Sequence, residues 1–249
     1  MDLFFLNKEK THAIYSTIGR IRRKNEDKVN FFRKNNIVIY IICDGMGGHL
    51  YGEFAAEFVI KKFEQEFLKF NFSKLHKKEN YFNWLIKTVN LIKKQMYKIA
   101  KKDSSKLDKG TTLAVCLFVN NDLYIINIGD CRVYLYYNSK LIQVTVDQNL
   151  LNNKKYKSLL KNTNYTMKKL LLSALGPNKQ TLIDTYFVKD FKGMILMSSD
   201  GFHDFIDANS ILSIMKNLGN NLETCAKTLV NTALKNNSND NVSILIAKT

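Results

Sequence analysis

Apolar residues along this chain recur with two periods. Short β-branched and aromatic runs bounded by turn residues predict strands over 12–18, 28–32, 37–43, 112–119, 123–128, 132–137, 141–146, 184–190, 194–198 and 242–247. Asn120-Asn121-Asp122 and Asn138-Ser139 lie between such runs and predict hairpin turns, so 112–146 reads as consecutive antiparallel strands. Elsewhere the spacing is three to four. In GEFAAEFVIKKFEQEFLKF the stripe is Phe54, Phe58, Phe63 and Phe67; over 80–101 it is Tyr81, Leu85, Thr88, Ile92, Met96 and Ile99. Both predict helices with a buried face, and two more helices are expected over 208–217 and 221–236. Strands come in clusters with helices between the clusters, which favours an α+β layered fold over alternating parallel units. No repeat or long linker interrupts 1–249, so a single domain is expected. Segment 148–183 follows neither period clearly; two short helical pieces fit it.

Composition narrows the class. With 45% hydrophobic residues among 249, the chain can bury a sizeable core. No apolar run approaches the ~18 residues of a membrane span. MDLFFLNKEK lacks the basic start and small-residue cleavage site of a signal peptide, so a cytoplasmic protein is expected. Cys43, Cys116, Cys131 and Cys225 form no C-x-x-C pair, which argues against zinc knuckles and redox dithiols. The formal charge of +16 has two readings: an anionic partner, or a lysine-rich composition spread over the whole surface. No nucleic-acid recognition motif accompanies it, so no specific nucleic-acid partner is expected. Arginine is the scarcer basic residue, and three of the five fall at Arg20, Arg22 and Arg23.

Candidate chemistry sits where apolar runs end. IVIYII runs into CDGMGGH at 43–49, either as an Asp-Gly turn or as a carboxylate that holds something charged beside glycines open to a ligand. The pattern recurs at Asp130 in YIINIGDCR, at Asp200 in MSSDGFHD and at Asp240 in SNDNVSILIA. Carboxylates from distant segments that converge repel one another unless cations lie between them, and an all-oxygen donor set suits Mg²⁺ or Mn²⁺. GRIRRKNED places Arg22 near Glu26 and Asp27, either as a solvated basic edge or as a guanidinium that forks onto phosphate. No C-x₅-R, phosphate loop or G-x-S-x-G elbow is present, which leaves an activated water as the simplest nucleophile.

Taken in order, GRIRRKNED, CDGMGGHLYGE, KGTTLA, NIGDCRVYLY, LIQVTVDQ, LLSALG, MSSDGFHD and SNDNVSILIA resemble the metal-dependent serine/threonine protein phosphatases of the 2C (PPM) family in their bacterial form. The resemblance implies a four-layer αββα sandwich, with two antiparallel sheets flanked by helices and the site at one end. It implies that Asp44 bridges two ions and that the Gly45 carbonyl, Asp200 and Asp240 complete the first. Glu26 would hold the second, with Asp27 behind it, and Asp130, Asp200 and Asp204 would form a third, weaker site. Arg22 takes the place of the phosphate-binding arginine, and Gly110-Thr111-Thr112 resembles a structural part of the cleft. The implied reaction has no covalent intermediate: a water whose pKa falls far below its bulk value of ~15.7 attacks phosphorus in line. Substrates would be phosphoproteins, partnered by a cognate serine/threonine kinase, and the protein a monomer. Two departures stand out. Met46 occupies the position of a histidine in eukaryotic relatives, with His49 three residues on as the alternative proton donor or a loop support. Asp147-Gln148 replaces the usual Asp-His. A catalytically silent scaffold on the same fold is the alternative. The seven lysines of 148–183, without one acid, suggest a basic flap that selects acidic phosphoproteins.

Overall fold

The computed structural model describes residues 3–6, 11–47, 51–75, 77–153, 155, 167 and 169–249, with backbone alone at 3–6 and 51. His49, His76, Lys154, Lys157 and most of 156–168 lie outside the described residues; of the segment 148–183 expected to hold two short helical pieces, the described stretches 148–153 and 169–183 form turns and isolated bridges instead.

Strand β4 (Ile37–Met46) shows how the layers arise. Successive side chains point to opposite faces of a sheet. Ile39, Ile41 and Cys43 face one core, Val38, Tyr40 and Ile42 another, and both faces are covered. That is why the segment reads as an unbroken apolar run rather than an alternation. One sheet is ordered β10 (Asp184–Val188), β7 (Asp122–Ile128), β6 (Leu113–Val119), β4 and β3 (Asp27–Lys34), with the short β5 (Gly110–Thr111) pairing with β4. The other is ordered β1 (Leu3–Leu6), β2 (His12–Thr17), β12 (Val242–Lys248), β11 (Met194–Ser198), β8 (Arg132–Tyr137) and β9 (Lys140–Gln143). The pairings are antiparallel.

Helices α1 (Tyr51–Lys69) and α2 (Lys78–Lys102) cover the outer face of the first sheet. The short α3 (Asp200–His203), α4 (Ala208–Leu218) and α5 (Leu222–Lys235) cover the outer face of the second. Ile14, Val29, Ile125, Val133, Ile195 and Leu245 fill the space between the sheets. The expected four layers are therefore present.

The turns follow their sequences. Asn120 and Asn121 have φ of 49° and 71°, and Asn138 and Ser139 have 49° and 58°. Two consecutive positive values match the twist of two-residue hairpins, and asparagine tolerates them. Some boundaries differ. The strand expected over 141–146 ends at Gln143, because Val144 and Thr145 bond to Val133 through a backbone and a hydroxyl contact instead of extending the ladder. Strand β1 was not expected; LFFL carries no alternation, and its pairing with β2 supplies what the pattern does not. The aromatic stripe of α1 is also displaced. Phe63 and Phe67 are fully buried, but Ala55, Ala56 and Val59 complete the core face, while Phe54 and Phe58 stack together at its rim.

Candidate active site

The residues singled out from sequence gather at one end of the sandwich. β4 and β11 end there, and β3 and β12 begin there. Asp27 sits directly across from Asp44 in the β3–β4 ladder. Asp130 occupies the crossover from β7 to β8, Asp200 opens α3, and Asp240 lies two residues before β12. A cleft of about 770 Å³ opens over them, with Met46, Asp130, Asp200, Asp204 and Asp240 on its walls.

Asp44 is not in a turn. β4 continues through Asp44 and Gly45 to Met46, and β5 pairs with its end. The threonine pair of KGTTLA clamps the aspartate's backbone. The Asp44 amide donates to Thr112 Oγ1 at 2.9 Å, while the Thr112 amide (2.8 Å) and Thr111 Oγ1 (2.9 Å) donate to its carbonyl. Gly45 is required by the protein's own packing: a Cβ there would stand 2.3 Å from the Gly52 carbonyl of α1. Close approach is the reason for the glycine, as expected, but the approaching group is backbone rather than a ligand. Gly201 is the same, with the Asn241 carbonyl 2.0 Å from a Cβ built there.

The carboxylates face one another. Burial pushes Asp44 well above the usual carboxylate range, and Asp200, Asp27, Asp130 and Asp240 add to the shift. Asp130 is raised by burial, then by Asp200, Asp147 and Asp204. Asp200 is pushed up to about 6 by burial and by Asp240 and Asp204, against a hydrogen bond with Asp44. Asp27, 3% exposed, is raised to about 7 by burial although Ser199 Oγ donates to it at 2.7 Å. Several negative groups thus share a poorly solvated space, which is costly unless positive charge enters it.

Part of that charge comes from the chain. Arg22 Nη2 donates to Asp240 Oδ2 at 2.5 Å, and Asp240, Asp200 and Asp44 all act to raise its pKa. Lys169 pairs with Asp204. Among the described residues no three acidic, histidine or cysteine side chains are gathered into a ready-made ion site. Like charges with no cation between them stand apart, and here two have taken protein cations instead. The residues nonetheless fit a hard divalent ion. The donors are oxygens, and Asp200 Oδ1 is buried without a hydrogen-bond partner, an orphaned acceptor of the kind a hard cation would satisfy.

Several positioning residues escape the sequence pattern. Asn241 Oδ1 accepts from the Glu26 amide at 2.9 Å, and its Nδ2 donates to the carbonyls of Ile18 (2.9 Å) and Lys24 (2.8 Å), which ties the Arg22–Glu26 loop to the Asp240 strand. Its place beside Asp240 in NDN was the available signal. Arg132 forks onto Asp147 at 2.8 and 2.6 Å. Gln148, where a histidine was the norm, accepts from the Gly129 amide at 2.8 Å and donates to Asp184 at 2.9 Å, bracing the turn that carries Asp130. Met46 lines the cleft, and a thioether has no proton to give. His203 is buried against Ser198 at 3.0 Å and held well below its ordinary pKa by desolvation, then by Arg132 and Lys169.

Residues 16–154 match the sequence profile described as Protein phosphatase 2C. The chain belongs to the protein phosphatase 2C family. Among relatives, the serine/threonine phosphatase stp of Listeria welshimeri is 29% identical over 95% of both chains. The solved structure of the serine/threonine phosphatase Stp1 from Staphylococcus aureus superposes with a TM-score of 0.85 at 27% identity, covering 100% of this chain and 97% of that one. A bacterial serine phosphatase structure gives 0.84 at 27% identity, covering 95% and 96%.

Proposed function

We infer that this chain removes phosphate from phosphoserine and phosphothreonine in proteins, at the acidic end of the sandwich. The observation that carries the reading is the convergence of Asp44, Asp200 and Asp240 from three distant segments beside Arg22. Asp44, the Gly45 carbonyl, Asp200 and Asp240 would hold one divalent ion. Asp44 and Glu26, with Asp27 behind, would hold a second, and Asp130, Asp200 and Asp204 a weaker third. Oxygen donors favour Mn²⁺ or Mg²⁺. Bound ions would supply a water acidified enough to attack at neutral pH and would offset charge on the phosphoryl oxygens.

The chain's own residues do the rest. Arg22 stands half-exposed on the rim, where its fork fits two phosphate oxygens, and Asp240 sets its direction until substrate arrives. Thr111 and Thr112 fix Asp44 through its backbone. Ser199 holds Asp27, and Asn241 holds the loop of Glu26. The leaving alkoxide needs a proton. Met46 cannot give it, and His49, three residues further along the sequence, is the proposed donor. The substrates would be products of a cognate serine/threonine kinase. Lysines 154, 155 and 157 would favour acidic sequences around the phosphate. No helix among the described residues is long and apolar enough to cross a membrane.

The test is hydrolysis of phosphoserine peptides and of p-nitrophenyl phosphate with Mn²⁺ or Mg²⁺. Asp44→Ala is expected to abolish turnover in a protein that retains its circular dichroism. Undiminished turnover in that variant would reject the assignment and favour a silent scaffold.

A further inference from the structure

The ion pair between Lys169 and Asp204 has no role in the reading above. Lys169 lines the cleft together with Asp130, Asp200, Asp204 and Asp240. Its side chain is 21% exposed and that of Asp204 17%, so the pair is largely withdrawn from water. Asp204 in turn faces Asp130 and Asp200, whose carboxyl groups it helps to raise. Two basic groups beside Asp204 are committed or neutral: Arg132 forks onto Asp147 in two bonds, and His203 Nε2 is 3.8 Å from Asp204 with its ring held uncharged by burial; Lys179 also lines the cleft.

We propose that Lys169 is an internal cation that occupies the Asp204 end of the cleft and must withdraw before a divalent ion can bind among Asp130, Asp200 and Asp204. The inference rests on the reading of those carboxylates as an ion site. An ammonium and a divalent ion both relieve the same repulsion, and Asp204 cannot serve both at close range. Lysine suits the role because it is a compact point charge on a flexible stem, able to leave without breaking a planar fork.

Position makes the competition consequential. Lys169 lies within the basic 148–183 segment. Immediately after it the chain is pinned: Leu171 bridges to Asn149, and the Leu172 amide donates to the Gln148 carbonyl at 2.8 Å. Residues 170–174 then continue along the cleft wall. Withdrawal of the Lys169 head group therefore alters the wall itself, so that ion occupancy and the shape of the substrate cleft bias each other. Such coupling is reciprocal.

The experiment is calorimetric titration of Mn²⁺ into the chelator-stripped full chain, with no substrate present. Lys169→Met keeps length and removes charge. It is expected to tighten the weakest Mn²⁺ site roughly tenfold, the scale of a partly buried charge pair, and to leave the tighter sites unchanged. Lys169→Arg should keep that site weak. Asp204→Asn should remove it in either background. If Lys169→Met leaves the weak site unchanged while Asp204→Asn removes it, the competition is wrong and the ion site stands. If Asp204→Asn leaves Mn²⁺ binding intact, the ion assignment fails and the competition with it.

Discussion

Several acidic residues at the cleft are held by groups that are not acidic. Asp44 is held through its backbone by Thr111 and Thr112, Asp27 through its carboxylate by Ser199, and the Glu26 loop through Asn241. These supports are more informative for mutagenesis than the carboxylates alone. Asn241→Ala deletes three hydrogen bonds to two backbone carbonyls and an amide. It is expected to cost about 1–3 kcal/mol in denaturant-measured stability, as buried groups lose their partners. It should also lower kcat/KM by about 10–100-fold with every proposed ligand in place, the usual scale for a supporting residue at a metal site. Arg22→Ala is expected to raise KM for a phosphopeptide more than it alters Mn²⁺ affinity; steady-state kinetics beside calorimetry separates the two. Aspartates at the ends of apolar runs were legible in the sequence because a strand terminus is a rigid place to mount a ligand. Asn241, Ser199 and Lys169 were not, because a supporting hydrogen bond leaves no period in the sequence and a single lysine among 33 carries no signal.

At the scale of elements, the strands and helices follow from their periods, and the deviations have local causes. β4 runs through an Asp-Gly pair that reads as a turn, because β3 and β5 both pair with it there. The aromatics of α1 suggested a core stripe one step off, since large residues at a helix rim are as apolar as those inside it. The glycines were legible as close approaches, but what approaches was not. Gly201 marks the tightest junction, where α3 meets the start of β12. Gly201→Ala would force the Asp200 and Asp240 segments apart. It is expected to cost about 1–3 kcal/mol by overpacking and to weaken Mn²⁺ binding measurably. Unaltered ion affinity in the folded variant would show that the two segments need no close contact.

For the molecule as a whole, the acidic end is a liability to folding when no cation is present. Asp27 at about 7 and Asp200 at about 6 are raised above their unfolded values, so the folded state prefers their protonated forms. Their contribution to stability is complete at a pH below about 4 and is lost as pH rises through 6 to 7. In chelator, the melting temperature of the wild type relative to Asp27→Asn should therefore fall between pH 5 and pH 7.5. Taking the difference cancels the general effect of the +16 charge. Saturating Mn²⁺ should remove the decline, since the ions favour the charged forms. A flat difference in chelator would mean that burial does not disfavour the charged form of Asp27 as described.

The central claim is that carboxylates from remote segments meet to hold divalent ions on which hydrolysis depends. The most direct measurement is the rate of phosphothreonine-peptide hydrolysis after exhaustive chelation, followed by stepwise return of Mn²⁺, in the wild type and in Asp44→Asn. The account predicts background rate in chelator, full recovery in the wild type, and a recovered rate at least ~100-fold lower in Asp44→Asn. Full rate in chelator, or equal recovery in both proteins, would contradict it.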